Sequence, residues 1–394
     1  MATASIGGDA VLRAVSAAVP RLRAIGGEVE ERRWLTDESI ALLEEAGVFR
    51  IVTPVRFGGL ELPLADRLRI LAEVSRGCSS TGWAVTVWVY TTWLATLFPD
   101  EVRKEIFARP SVRVSGVAPA PRGSITPVRD GFVLNGSWRF NTGCRGADWN
   151  LMSTSLEQPD GSRETVIAAV PMSEFSVADD WHTSAGCGTG SSTSTAEDLF
   201  VPAHRVVPGG VMRGLAVPGR ARAAAVGRDY GVTPLIAAKM SAAFFGIARG
   251  ALDLFLAGPG HPGGGAAAPR DDRAGHPLTQ IRVASAAHRI TAAGALMDRW
   301  APVLQARADA GEQPTPEEAA TVHGEAVYAA QLAREAVEIL YRESGPSVIH
   351  RDVPLQRFFR DIEGFALHPF FRDGFGPEVQ GRLLLGLGPD MPRP

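Results

Sequence analysis

The residues best suited to chemistry lie near the end of the sequence, in Leu355-Gln356-Arg357-Phe358-Phe359-Arg360-Asp361 and Phe365-Ala366-Leu367-His368-Pro369. Helical spacing from Leu355 to His368 puts Asp361, Gly364, Phe365 and His368 on one side. The proline after His368 disfavours further helix, so the imidazole is expected at a helix C-terminus, where the macrodipole favours the protonated ring. A histidine placed there can exchange a proton near neutral pH. A histidine that only caps the helix is the competing reading.

A second candidate is Phe140-Asn141-Thr142-Gly143-Cys144. The two-residue period of the preceding strand sets Trp138, Phe140 and Thr142 on one face. The Thr142 hydroxyl then ends an apolar wall, and Gly143 releases the chain so that it can meet a ligand. A threonine filling an ordinary strand is the alternative. A third candidate runs from Trp181 to Ser191 through Gly186-x-Gly188-x-Gly190. No helix and no suitably spaced acidic residue follows these glycines, which rejects a dinucleotide-binding turn. A core tryptophan followed by a flexible loop stays open.

The chain has 394 residues, 45% hydrophobic and 21% charged, with a net charge of −3. That is a globular mixture with room for two or three layers or domains. The small net charge provides no field for nucleic acid or an anionic membrane. Three cysteines without CxxC spacing point to a reducing, cytoplasmic setting, and no metal-ligand spacing is present. The uncharged stretch from Gly77 to Pro99 is long enough for a membrane span, but threonines and serines interrupt it. A helix buried inside a soluble bundle fits it better, so no membrane association is expected.

The elements that must position these residues fall into a helix, β, helix order. Four stretches are assigned: residues 1–114 helical, 115–212 a β domain, 213–229 a Gly/Ala/Arg-rich connector, and 230–394 a helical bundle. In the first stretch, Leu42, Leu43, Ala46 and Phe49 recur at helical spacing behind a Thr36-Asp37-Glu38 cap. In the second, Phe132-Val133-Leu134, the pair Asn135-Gly136 and Ser137-Trp138-Arg139-Phe140 read as a hairpin. Val166–Val170 and Leu199–Val201 are further strands. The last stretch predicts helices over Leu235–Leu256, Leu278–Ala308, Pro316–Tyr341 and Leu355–His368.

These residues resemble the acyl-CoA dehydrogenase fold over nearly the whole chain. The resemblance rests on the Arg360-Asp361 pair after the Gly345-Pro346-Ser347 turn, the Pro54-to-Gly59 turn, Thr142-Gly143 and the Trp181–Ser191 segment. It implies an N-terminal helical domain, a middle β-barrel and a C-terminal four-helix bundle: mainly α with a central β domain. True dehydrogenases of this group place a glutamate base just beyond the Arg-Asp pair. This chain has His368-Pro369 there. It looks like the branch of two-component flavin-dependent monooxygenases.

That resemblance implies an enzyme using reduced, diffusible FMN (FAD as runner-up) and O2, supplied by a separate NAD(P)H:flavin reductase. Oxygen would add at the flavin C4a position and pass to an aromatic, phenolic or polyketide-like small molecule. N-oxygenation of an amine or amino sugar, an FAD-dependent acyl-CoA dehydrogenase and a non-catalytic scaffold stay open. His368 would act as a base or stabilise activated oxygen, and Thr142 and Gly143 would meet the flavin near N5. Trp181 and Ser191 would lie along its ring. Arg270 or Arg273, with Gly345 and Ser347, would hold its phosphate across a subunit boundary in a homotetramer, a dimer being the next expectation. Relatives often carry a histidine eight residues after Trp83, where this chain has Thr91. Trp88, Tyr90 and Thr91 are the candidates for the substrate pocket.

Overall fold

A computed structural model describes residues 5–117, 122–210, 229–257, 275–371 and 375–388. The chain opens with helices α1 (Ser5–Ala24), α2 (Gly26–Arg32), α3 (Asp37–Glu45), α4 (Leu64–Gly77), α5 (Ser79–Ala95) and α6 (Asp100–Ile106). Thr36 caps α3 by accepting the Ser39 backbone N–H at 3.1 Å, which satisfies one of the free amides of the first turn. The turn between α3 and α4 needs glycine at position 59. A Cβ there would sit 1.9 Å from the Thr53 carbonyl oxygen. Helix α5 has no polar stripe and is buried on nearly all sides, as its sequence requires.

Strands begin at Val114. β1 (Val114–Val117), β2 (Ser124–Val128), β3 (Gly131–Trp138), β4 (Trp149–Glu157), β5 (Arg163–Pro171), β6 (Ser176–Val177), β7 (Ser194–Pro202) and β8 (Val206–Pro208) form one sheet. Its order is β6-β7-β3-β2-β4-β5-β8, with β1 parallel to β4. The expected hairpin at Asn135-Gly136 does not form. Both residues lie inside β3, where the register against β7 shifts between Leu134 and Gly136. The Asn135 side chain pairs with Asp198 across this irregularity, donating to its carboxylate at 3.1 Å and accepting its backbone N–H at 2.8 Å. A dipeptide that favours a turn when alone has been absorbed as a bulge by its neighbours. The reversal occurs instead before Gly131, where Asp130 takes a φ of 64° and β2 pairs with β3.

The C-terminal part holds α7 (Val232–Leu256), α8 (Pro277–Asp309), α9 (Pro316–Glu343), α10 (Pro354–Ala366) and α11 (Phe375–Leu384). α9 starts at a capping box between Thr315 and Glu318. α7 is long and apolar enough to cross a bilayer, but 78% of its most apolar window is buried inside the protein. It packs on α4 and α5 on one side and on α8 and α9 on the other. The helical core is therefore continuous from the first to the last part of the chain. A separate apolar cluster around Leu134, Trp138, Met152 and Val170 fills the sheet. Arg270 and Arg273 lie outside the described residues.

Candidate active site

α10 ends at Ala366, two residues before His368, so the imidazole sits in the following turn. Its Nδ1 accepts the Phe370 backbone N–H at 3.2 Å. That contact needs a lone pair on Nδ1 and assigns the proton of the neutral ring to Nε2. Protein packed around the ring, and the nearby charge of Lys239, pull its pKa down to about 4. The residue is nonetheless exposed to solvent, which damps the burial, but both causes act in the same direction. The expected protonated, dipole-stabilised histidine is corrected to a neutral one, because tertiary desolvation outweighs the helix end.

Three more residues anticipated near the helix end have defined parts. Phe365 stacks on Trp83 of α5, ring centroids 4.2 Å apart at 7°, and the His368 ring meets the same indole edge-on at 6.1 Å. Gly364 lies against Ala185, which a Cβ would approach to 2.6 Å. Asp361 is fully enclosed. It accepts Ser79 Oγ at 2.5 Å and Ser80 Oγ at 2.9 Å on one oxygen, and the Gly186 N–H at 2.7 Å on the other. Burial raises its pKa against these hydrogen bonds and the Arg357 charge. The neighbouring Arg360 donates to the Ser184 carbonyl and to Glu30. The Arg-Asp pair thus pins the 181–191 loop to the start of α5.

That loop carries the hydroxyl groups. Gly186 has a φ of 62° and touches Phe365 so closely that a Cβ would come within 2.8 Å of the ring. Thr189 Oγ1 donates to the Gly186 carbonyl at 2.8 Å, and its hydroxyl meets Ser191 Oγ at 2.8 Å. Ser191 Oγ in turn lies 2.9 Å from Thr142 Oγ1. A chain of three hydroxyls therefore runs from the sheet to the turn that Asp361 holds. Gly143 donates to the Thr189 carbonyl at 3.0 Å, which locks the two segments together. Trp181 donates its Nε1–H to the Gly186 carbonyl at 3.0 Å and stands edge-on to Phe140, centroids 5.6 Å apart. The strand period breaks here: Trp138 is buried, whereas Phe140 has a φ of 63° and is 62% exposed.

Of the three pocket residues expected on α5, only Tyr90 shares the side of Trp83. Trp88 points the other way, donating to the Gly143 carbonyl at 3.2 Å and packing edge-on to Phe49. Thr91 bonds back to the Val87 carbonyl at 2.9 Å and faces Gly116 of β1. The 100° step per residue turns both off the Trp83–Tyr90 face, and Trp88 instead lines a small cavity with Gly143, Thr189 and Gly190. Tyr90 meets a residue that the sequence reading missed, Lys239 of α7, whose Nζ lies 4.1 Å from the centre of its ring. The available signal was a lone charge: Lys239 is the sole charged residue from Val232 to Ala248. Gly345 and Ser347 lie beyond the other end of α10 from His368. One helix of this length, roughly 20 Å, separates them within a protomer.

Residues 11–109 match the family model of the acyl-CoA dehydrogenase N-terminal domain, and residues 238–373 that of the acyl-CoA dehydrogenase C-terminal domain. Together these cover more than half of the chain. The chain is 29% identical over 374 residues to a pigment production hydroxylase from Rhodococcus sp., with 95% of each protein covered. It is 28% identical to the flavin-dependent monooxygenase oxygenase subunit HsaA of Rhodococcus jostii, over 91% of this chain and 93% of that protein. The solved structure of XiaF from Streptomyces sp., in complex with FADH2 and glycerol, superposes with a TM-score of 0.88. Its identity is 25%, and 99% of this chain and 98% of the other are covered.

Proposed function

The chain belongs to the acyl-CoA dehydrogenase family, and from that premise we propose that it is the oxygenase component of a two-component flavin-dependent monooxygenase that hydroxylates an aromatic substrate. One observation carries this reading. The ionisable side chain that meets Trp83 is a neutral imidazole, with Lys239 near it and Tyr90 against Lys239, whereas the nearby carboxylate, Asp361, has both oxygens committed to Ser79, Ser80 and Gly186. A dehydrogenase needs a free carboxylate to take the α-proton, and this arrangement does not provide one among the described residues.

The residues present fit a reduced flavin. An exposed phenylalanine held at positive φ is costly, and a flat ring system laid on Phe140 and Trp181 would cover it. The Thr142–Ser191–Thr189 hydroxyls can reorient to donate to or accept from ring heteroatoms. Bound reduced flavin supplies the electrons and activates dioxygen for transfer of one oxygen atom. Thr142 would orient the ring by its hydroxyl. Trp83, Phe365 and Phe244 keep water from the reaction space. His368 would donate through Nε2–H to the oxygen being transferred or to the substrate, the stabilising role of the two expected for it.

Reduced FMN is the flavin proposed, with FADH2 second because XiaF holds it. A separate flavin reductase is proposed to deliver it, because the chain is similar to proteins named as the oxygenase subunit or component of their systems. A homotetramer is proposed because apolar side chains stand exposed along the α8–α9 face, among them Leu278, Ile281, Val303 and Tyr328. Self-association would also bring Gly345 and Ser347 of one copy towards the flavin of another. The deciding experiment supplies chemically reduced FMN or FADH2 and O2 with a panel of phenols, and weighs the products. A gain of one oxygen atom per product supports the reading. Oxidation of flavin to peroxide alone across the panel, or bleaching of a bound flavin by an acyl thioester, rejects it.

A further inference from the structure

Lys239 is 7% exposed, and no carboxylate lies within ion-pair distance of it among the described residues. Its recorded contact is the face of Tyr90 at 4.1 Å, on the same side of α5 as Trp83. The Tyr90 hydroxyl is itself enclosed and has no hydrogen-bond partner, and Ser241 Oγ, two residues beyond Lys239, has none either. A buried ammonium without a counter-charge and a buried hydroxyl without a partner are each costly. A molecule that brings one anionic oxygen to both would offset the two costs together.

We propose that Lys239 and Tyr90 form the subsite for the ionised oxygen of a phenolic substrate, with Lys239 Nζ receiving the proton of its hydroxyl. The inference rests on the hydroxylase reading and extends it to the protonation state of the substrate. Trp83, two turns from Tyr90 on the same side of α5, packs with Phe365 and Phe244 and offers an aromatic surface on that side of the helix. The step is a proton transfer alone: the substrate O–H bond breaks, an N–H bond forms, and a phenolate–ammonium pair results. No oxidant is consumed. Electron density pushed from the phenolate into the ring makes the adjacent carbon the better nucleophile for an electrophilic oxygen.

Burial lowers the Lys239 pKa to about 7, so the amine form is accessible at neutral pH. The titratable groups facing it are Tyr90 from α5, whose own ionisation is suppressed by burial, and neutral His368 from the turn after α10. The buried His323 of α9 is engaged with the Phe370 carbonyl. A phenol ionises near pKa 10, about three units above this ammonium, so the transfer is driven by the attraction within the phenolate–ammonium pair it creates, whereas a carboxylic acid arrives already ionised.

The test titrates the full-length protein with 4-nitrophenol and follows its coloured phenolate, alongside 4-nitroanisole and 4-nitrobenzoate. The expected result is a bound nitrophenol that ionises at a pH at least about one unit lower than in water. Lys239→Met should remove that shift and weaken phenolate binding about 10- to 100-fold, as for loss of a charge-assisted hydrogen bond. Tyr90→Phe should weaken it less, and nitroanisole should not distinguish the variants. Wild-type phenolate affinity in a folded Lys239→Met protein overturns the proposal. So does a Lys239-dependent preference for nitrobenzoate over nitrophenol. Anaerobic titration with reduced FMN is run in parallel. Loss of the phenolate effect with intact flavin binding rejects this subsite alone, and the converse rejects the oxygenase reading alone.

Discussion

The indole of Trp83 and the ring of Phe365 lie face to face, 4.2 Å apart and 7° from parallel. The pair joins the start of α5 to the end of α10, and His368 meets the same indole edge-on. The imidazole is therefore set by an aromatic contact across two helices, beyond the last turn of its own helix. Stacked pairs of this kind are worth about 0.5–1.5 kcal/mol beyond the area they bury.

Replacing His368 by alanine removes the Nε2–H donor. Product formation with reduced flavin should fall about 10²- to 10³-fold, with peroxide released instead. The pH profile adds a second check. Because the ring stays neutral down to a pKa of about 4, activity at pH 6 should show no limb due to this histidine. A limb between pH 6 and 7 that disappears in the alanine variant contradicts the neutral assignment.

Thr142→Val deletes one link of the hydroxyl chain and keeps the shape. Anaerobic affinity for reduced FMN should drop about 3- to 10-fold, in line with one neutral hydrogen bond, and Thr142→Ser should restore it. Equal affinity in all three proteins would place the flavin elsewhere.

Asp361→Ala strips the partners from Ser79, Ser80 and the Gly186 amide at once. Urea unfolding should show a loss of about 3–5 kcal/mol, because buried donors are left unpaired. Proteolysis of the native protein should shift to the 181–191 loop. A loss below 1 kcal/mol with an unchanged cleavage pattern would mean that the carboxylate does not hold that loop.

Lys239→Met carries the opposite sign for stability. The folded pKa of about 7 lies below the ordinary 10.5, so the unfolded chain binds more protons between these values and wild-type stability rises with pH across that window. Below it the buried charge is retained at full cost. The methionine variant should therefore be more stable than wild type by roughly 2–4 kcal/mol at pH 6, with the advantage shrinking towards pH 10.5. Melting curves at the two ends of the range measure it, and a pH-independent difference would contradict the buried unpaired amine.

The helix, strand, helix order was legible because long amphipathic stretches and a change of period speak locally. Thr36, Pro54 to Gly59 and Pro316 mark turns and caps whose physics needs only neighbours. The departures come from distant partners. Asn135-Gly136 carries a turn signal that pairing with Asp198 overrides. The helix-end rule gave His368 a raised pKa, and packing from α5 and α7 reversed it. Trp88 and Thr91 were grouped with Tyr90 by proximity in sequence, although the helical step separates their faces. Lys239 stands some 150 residues from Tyr90 along the chain, and only the fold brings them into contact.

One carboxylate closes hydrogen bonds to partners 282, 281 and 175 positions earlier in the chain. During synthesis Ser79, Ser80 and Gly186 leave the ribosome long before Asp361 exists. The 181–191 loop cannot be fastened, nor the indole covered, until Asp361 and Phe365 have been made.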